Sequence, residues 1–243
     1  MTKFLIFIPA FNVEATIEEV IRQIRHLQPG LDALVINDGS DDATGILLDR
    51  MEDVYVLHHH ENLGYGATLI RGFEFAIQHN YDYLITLDGD KQHRPYEITR
   101  FVEENKKGGY DIISGSRYLE TSEQVQAQAP AERREVNHRV TQYLNQITGY
   151  HLTDAFCGFK LYRVEALRKL HLTEPGYGMP LQLWVQAWKN DLTVKEVPVQ
   201  LIYFDRERRH VHQKVFRRYR YYLEIIKKEL ETYETFDFSR ASR

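Results

Sequence analysis

Tyr83-Leu84-Ile85-Thr86-Leu87 runs straight into Asp88-Gly89-Asp90. The first five residues read as a buried strand and the triplet as the loop that ends it, so two carboxylates flank a glycine at a strand's carboxyl end. In a sheet of parallel strands that edge is where ligands collect. Paired carboxylates there cost stability unless a cation neutralises them. Hard oxygen donors select Mg2+ or Mn2+, with a substrate diphosphate suited to complete the shell. Gly89 allows a close backbone approach, and Gln92 and His93 follow in the same loop. As a bare pattern Asp-x-Asp also makes ordinary surface turns. Its place after a strand, in a series of alternating strands and helices, makes it a candidate site.

That series begins at the amino terminus. Phe4-Leu5-Ile6-Phe7-Ile8, stopped by Pro9, suits a central parallel strand covered on both faces. Asn12 is expected to cap a helix over 14–27, where Ile17, Val20, Ile21, Ile24 and Leu27 keep helical spacing and Pro29-Gly30 ends the segment. A strand over 33–36, the turn Asp38-Gly39-Ser40, a helix over 42–50, a strand over 54–57 and a helix over 67–79 complete the first half. Beyond the acidic triplet the pattern predicts a helix after Pro95, a strand over 111–114 and a mobile polar loop over 120–131. Helices over 132–148 and 181–189, strands over 159–162 and 193–197, and a final helix over 213–233 follow. The fold class is therefore α/β, Rossmann-like, with a mostly parallel central sheet flanked by helices.

Composition agrees with a folded chain: of 243 residues, 43% are hydrophobic, 12% aromatic and 27% charged, which excludes a disordered tail or a collagen-like repeat. Cys157 is the single cysteine, so no intramolecular disulfide, zinc ribbon or iron–sulfur site is available, and a reducing cytoplasm is the expected home. The most apolar run, 4–11, contains Pro9 and falls well short of the ~20 residues a spanning helix needs, so neither a membrane span nor a secretion signal is expected. The net charge of −4 hides an asymmetry. Residues 1–120 carry 11 Lys and Arg against 20 Asp and Glu, whereas 206–220 carry seven basic residues and one acidic one. An acidic half suits a cation, and the basic stretch suits phosphates or an anionic membrane surface, or is a solvated helix face. No nucleic-acid partner is implied.

Three further motifs need weighing. Asp38 either accepts hydrogen bonds from a base or ribose or serves as a turn residue, with Gly39 and Ser40 completing the turn. Asn62-Leu63-Gly64-Tyr65-Gly66 resembles a phosphate loop but matches neither the dinucleotide fingerprint nor the P-loop. His58-His59-His60 cannot converge on one ion from a strand, because consecutive side chains point to opposite faces.

Taken in order, Ile8-Pro9-Ala10-Phe11-Asn12, Asn37-Asp38-Gly39-Ser40-Asp41-Asp42-Ala43-Thr44, the glycine loop and Leu87-Asp88-Gly89-Asp90 resemble the family 2 glycosyltransferases of the GT-A fold. The nearest branch is the polyprenyl- or dolichyl-phosphate sugar synthases. The resemblance continues through Gly115-Ser116-Arg117-Tyr118 and Thr153-Asp154-Ala155-Phe156-Cys157-Gly158-Phe159-Lys160 to Val197-Pro198-Val199. It implies one domain, with a nucleotide-sugar half over 1–118, an acceptor-side half over 119–212, and a C-terminal helix and tail over 213–243. Pro9, Phe11, Glu14, Asp38, Gly39, Gly66 and Asp88 are implied to bind the nucleoside-diphosphate sugar. Asp88, Asp90 and Gln92 are implied to hold Mg2+ or Mn2+, Arg117 to meet a phosphate of donor or acceptor, and Arg206 to stand with Arg117 and Asp154 at the catalytic pocket. Asp154 is implied either as a general base for a hydroxyl acceptor or, where the acceptor is a lipid phosphate, as the residue that orients Arg117 or Lys160.

The implied activity is inverting transfer of a mannosyl or glucosyl unit to a polyprenyl phosphate. Contact with the cytoplasmic membrane face would be peripheral, through 206–220 and the Tyr219–Tyr222 helix, for which packed core is the other reading. Transfer to a soluble or protein hydroxyl, nucleotidyl transfer and a non-catalytic sugar-nucleotide binding module are the alternatives. Two features depart from the branch: Glu207-Arg208-Arg209-His210 replaces the glycine, serine and lysine that follow its Asp-Arg pair, and Tyr65 stands where many relatives have lysine, leaving Arg71 as a substitute cation.

Overall fold

The computed structural model describes residues 2–27, 30–119, 129–200, 202 and 215–240. Pro29, most of the 120–131 loop, Arg206 and the basic stretch up to Lys214 lie outside the described residues.

Among the described residues seven strands form one sheet: β1 (Phe4–Ala10), β2 (Asp32–Asn37), β3 (Tyr55–His58), β4 (Tyr83–Thr86), β5 (Ile112–Ser116), β6 (Lys160–Arg163) and β7 (Val194–Pro198), in the order β3-β2-β1-β4-β6-β5-β7. β6 runs antiparallel to both neighbours, pairing Thr86 with Lys160 on one side and Ser114 with Lys160 on the other. The other pairs are parallel. The sheet is thus mostly parallel, as the apolar runs predict. The reversal of β6 is set by the path of the chain between strands and leaves no mark on residue type.

β1 is buried along most of its length because both faces are covered. Leu5 and Phe7 point into one core, and Ile6, Ile8 and Ala10 into the other. The first core is closed by α3 (Tyr65–Gln78), α5 (Ala131–Thr148), α6 (Val164–Leu167), α7 (Met179–Lys189) and α8 (Val215–Arg240). The second is closed by α1 (Ile17–Leu27), α2 (Thr44–Leu48) and α4 (Ile98–Gly108). At about 25 cal/mol per Å² of apolar surface, burial of these two layers is the main driving force for the fold.

Two expectations need correction. Asn12 does not cap α1, which starts five residues later: its φ is +51°, and its Oδ1 accepts the Asp41 N–H at 2.9 Å, tying the loop after β1 to the loop after β2. Tyr222, proposed from sequence as a membrane contact, is buried against Phe156 with ring centroids 4.8 Å apart, and the Tyr221 hydroxyl donates to Glu174 at 2.6 Å. Among the described residues no helix is long and apolar enough to cross a membrane.

Candidate active site

The loops after β1 and β2 are laced together by side chains. Val13 N–H donates to Thr44 Oγ1 (2.9 Å), Glu14 N–H to Asp42 (3.1 Å), and Ala43 N–H to Glu14 Oε2 (2.8 Å). Glu14 is therefore a brace between two loops as well as a candidate nucleotide contact. Phe11 is 43% exposed at the end of β1, with Pro9 half-buried two residues before it. Asp38 is buried: Oδ1 accepts from His59 Nδ1 (2.7 Å) and Leu63 N–H (3.0 Å), and Oδ2 from Gly64 N–H (3.0 Å). One carboxylate thus folds the glycine loop onto the end of β2. Gly39 has φ +64°, and a Cβ there would come within 2.3 Å of the Glu61 carbonyl carbon.

The glycine loop faces protein on one side. A Cβ on Gly66 would lie 2.2 Å from the Glu174 carbonyl oxygen, and Ala67 N–H donates to Pro175 O at 3.0 Å. Gly66 serves close packing against the 174–178 segment. Arg71 lies on the exposed face of α3, paired with Glu74 at 3.2 Å. His58 and His59 are spent on Asn37, Asp49 and Asp38.

The acidic triplet lies where β4 ends. Thr16 Oγ1 donates to the Gly89 carbonyl (2.7 Å), Gln92 N–H donates to Asp90 Oδ1 (3.0 Å), and the strained turn between them places Lys91 at φ +64°. Asp88 lies over Gly158, where a Cβ would come within 2.8 Å of the Tyr65 hydroxyl and 2.9 Å of Asp88 Oδ1. Burial pushes the Asp88 carboxyl up to about 6, against the opposing pull of Arg117 and Lys160. Burial, with the charge of Asp88 beside it, also pushes the Tyr65 hydroxyl well up.

The donor set fits a divalent cation that also binds substrate. Asp88, Asp90 and Gln92 offer hard oxygens, and Asp88 is destabilised as an anion while no cation is present. Among the described residues no group of three or more His, Cys, Asp or Glu could hold a metal unaided. Sites of this kind are completed by substrate phosphate and water.

Asp154 is enclosed on every side, at 0% exposure. Arg117 Nε donates to Oδ2 (2.6 Å) and Nη2 to Oδ1 (2.9 Å), a bidentate pair, and Arg117 N–H adds a third bond (3.2 Å). Asn137 Nδ2 and Phe156 N–H also donate to Oδ1, at 2.7 and 3.2 Å. Burial alone would raise this carboxyl; the Arg117 charge and the hydrogen bonds outweigh it and hold it down at about 2. Glu196 on β7 steadies the segment by accepting from Thr153 N–H (2.8 Å), Thr153 Oγ1 (2.7 Å) and Asp154 N–H (3.1 Å).

Three more groups complete the site, of which only Asn137 is left aside by motif reading. Lys160, buried at the start of β6, donates to the Cys157 carbonyl and sits over the Trp184 ring at 5.4 Å; burial pushes its ammonium down. Asn137 is found only through the fold, since nothing in the α5 pattern marks it. His93 lies beneath Asp88, where burial and the Arg117 charge push it down to about 3. Cys157 is buried and its thiol is pushed up to about 12, which suits packing.

The model of the glycosyl transferase family 2 matches residues 5–171, more than half of the chain. Polyprenol monophosphomannose synthase of Mycolicibacterium smegmatis is 29% identical over 203 residues, covering 80% of this chain and 76% of that protein. Undecaprenyl-phosphate mannosyltransferase of Micrococcus luteus is 28% identical over 207 residues, covering 82% and 84%. Glucosyl-3-phosphoglycerate synthase from Mycobacterium tuberculosis in complex with uridine diphosphate superposes with a TM-score of 0.73 at 20% identity, covering 94% of this chain and 80% of that one. The same enzyme is also known with Mn2+, uridine diphosphate and glucosyl-3-phosphoglycerate. With its strand order, acidic edge and matched family model, the chain belongs to glycosyl transferase family 2: a nucleotide-sugar glycosyltransferase with a GT-A-like fold.

Proposed function

We propose that this enzyme moves a hexosyl unit from a nucleoside-diphosphate sugar to the phosphate of a polyprenyl lipid, with inversion at the anomeric carbon and with Mg2+ or Mn2+ held by Asp88, Asp90 and Gln92. The observation that carries the acceptor assignment is the state of Asp154. A carboxylate with no exposed surface, five hydrogen-bond donors and a pKa of about 2 is poorly suited to take a proton from a hydroxyl. An acceptor phosphate arrives already anionic and needs no base. Asp154 instead holds the Arg117 guanidinium at the sheet edge, positioned for a phosphate oxygen. The lipid-phosphate activities named for the Mycolicibacterium and Micrococcus relatives support the same class of acceptor.

Pro9 and Phe11 line the nucleotide pocket. Glu14, Asp38 and Gly39 shape its floor through the loops they tie together, and the segment of Gly66 closes one side. A bound divalent cation would neutralise charge that develops on the departing diphosphate. Asp88 and Asp90 anchor that end of the donor, while Arg117 meets phosphate charge from the other side. The acceptor oxygen forms a bond to the anomeric carbon as the bond to the diphosphate breaks, and the electron pair leaves with the nucleoside diphosphate. Arg206 is proposed to join Arg117 on phosphate, and the basic stretch 206–220 to hold the enzyme at an anionic membrane surface.

The test is a transfer assay with GDP-mannose, UDP-glucose and UDP-N-acetylglucosamine as donors and undecaprenyl or dolichyl phosphate as acceptor, with Mn2+ or EDTA. A glycosyl-phosphoryl lipid and free nucleoside diphosphate, both abolished by EDTA, are expected. Product formed only on a hydroxyl acceptor, or with EDTA present, overturns the corresponding part of the proposal. Release of pyrophosphate points to nucleotidyl transfer.

A further inference from the structure

His93 is buried at 3% exposure beneath the acidic loop, and it has two possible partners on Asp88. Its Nδ1 is 3.0 Å from the Asp88 backbone nitrogen and 3.6 Å from Asp88 Oδ2. The first is a hydrogen bond and the second is too long to be one. A backbone N–H can only donate, so Nδ1 is the acceptor and carries no proton; the ring proton is on Nε2. The surroundings agree with this tautomer. Nε2 faces the Cys157 sulfur at 3.9 Å, a weak acceptor, and the thiol in turn faces the Phe159 carbonyl at 4.0 Å. The imidazole is clamped against the Phe159 ring with centroids 5.1 Å apart, and Phe159 stacks on Phe101 at 4.4 Å.

We infer that His93 is a positioning residue for the transfer reaction: its unprotonated Nδ1 pins the Asp88 backbone N–H and so fixes the acidic loop, while offering no proton to the Asp88 carboxylate. This inference rests on the donor-site reading above. The hydrogen bond fixes the Asp88 backbone nitrogen, and with it the position from which the side chain leaves the loop. The pin is one of three that hold consecutive residues, alongside Thr16 on the Gly89 carbonyl and the Gln92 N–H on Asp90. It differs from them in reaching the loop from beneath, out of the second core, so the placement of Asp88 is tied to core packing.

Side-chain geometry supplies the test. In His93→Asn the amide oxygen falls where Nδ1 was and can still accept the Asp88 N–H. In His93→Gln the amide reaches the Nε2 position, keeping the Cys157 contact but losing the acceptor, and His93→Leu keeps bulk alone. Mn2+ together with GDP or UDP, whichever the wild type binds, is titrated calorimetrically into each protein, and melting is recorded without metal. The Asn variant is expected close to wild type, whereas Gln and Leu weaken Mn2+–nucleotide binding by about 10- to 100-fold, the range for residues that orient a metal ligand. In transfer assays the Gln and Leu variants should lose kcat along with donor affinity. Variants that lose affinity only in proportion to their loss of melting temperature, with Asn no better than Gln, overturn the inference. So does a nitrogen-15 spectrum of the wild-type imidazole showing the proton on Nδ1, a measurement that stands even if a variant fails to fold. Absence of Mn2+-dependent nucleotide binding in the wild type overturns the donor-site reading itself, and the inference with it.

Discussion

Asp88 and Asp154 lie at the same edge of the sheet, both share an electrostatic field with Arg117, and burial leaves them in opposite states. Asp88 has a neutral histidine beneath it and a tyrosine hydroxyl beside it, and its carboxyl rises to about 6. Asp154 has a bidentate guanidinium, an amide and two backbone N–H groups, and its carboxyl falls to about 2. Desolvation raises both carboxyls, Asp154 being the more deeply buried of the two; the donors aimed at the oxygens decide the sign. A carboxylate left short of donors attracts a cation, and one that is saturated becomes scaffold. The same residue type thus supplies a candidate metal ligand at one loop and the mount of a phosphate-binding arginine at the next.

The comparison breaks most visibly if Asp154 is emptied. Asp154→Ala removes the bidentate carboxylate from the largely buried Arg117 guanidinium, and urea unfolding should show a loss of about 3–5 kcal/mol. Asp154→Asn keeps the shape, so turnover on a polyprenyl phosphate should fall by less than the roughly 10²-fold expected on removing a general base. A fall of that size with acceptor KM unchanged would make Asp154 the base and move it to the catalytic side of the comparison.

Asp90→Ala acts on the other member. Transfer should drop by roughly 10²-fold or more, as on removing one strong electrostatic contact to a leaving group, with melting in the absence of metal unchanged. Unchanged turnover would remove the metal from the proposal.

The pH dependence of stability sharpens the contrast with smaller effects. Because the folded-state pKa of Asp88 lies above its unfolded value, the native protein binds more protons between about pH 4 and 6, and its stability declines as pH rises through that window. Asp88→Asn should remove this decline, worth about 1–2 kcal/mol after allowing for partial exposure, or a few degrees in Tm. Mn2+ with nucleoside diphosphate should restore stability to the wild type alone. Asp154 has the opposite sign: its contribution is full above about pH 4 and is lost as pH falls toward 2.

The smallest effect concerns the start of α8, where Arg217 and Arg220 are exposed. If they help hold an anionic surface, Arg220→Gln should weaken binding to anionic vesicles by about 1 kcal/mol at low salt and by less as salt rises, without changing transfer to a short-chain acceptor. Co-sedimentation that ignores both salt and the substitution would leave this helix end as a solvated face.

The fold class, the strand ends and the acidic loop were legible in the chain because each is written in local chemistry. Apolar runs of strand length, helical spacing over 17–27, and glycine and aspartate at turns all act over a few residues. What escaped was nonlocal. Asp154 and Arg117, 37 residues apart, are linked beforehand only through the family resemblance, which leaves Lys160 as an equal partner, and Asn137 stands 17 residues before Asp154 in a helix whose pattern reads as surface and core alone. The direction of β6 depends on the path of the chain around it. The close packing of Gly66 on the 174–178 segment, and of Tyr222 on Phe156, likewise joins residues far apart in sequence. Sequence by itself thus determined that this protein would place carboxylates at the ligand edge of a mostly parallel sheet. Only the tertiary structure decided which of them is saturated with donors and which is left wanting a cation, because that balance depends on groups that meet only once distant segments have packed.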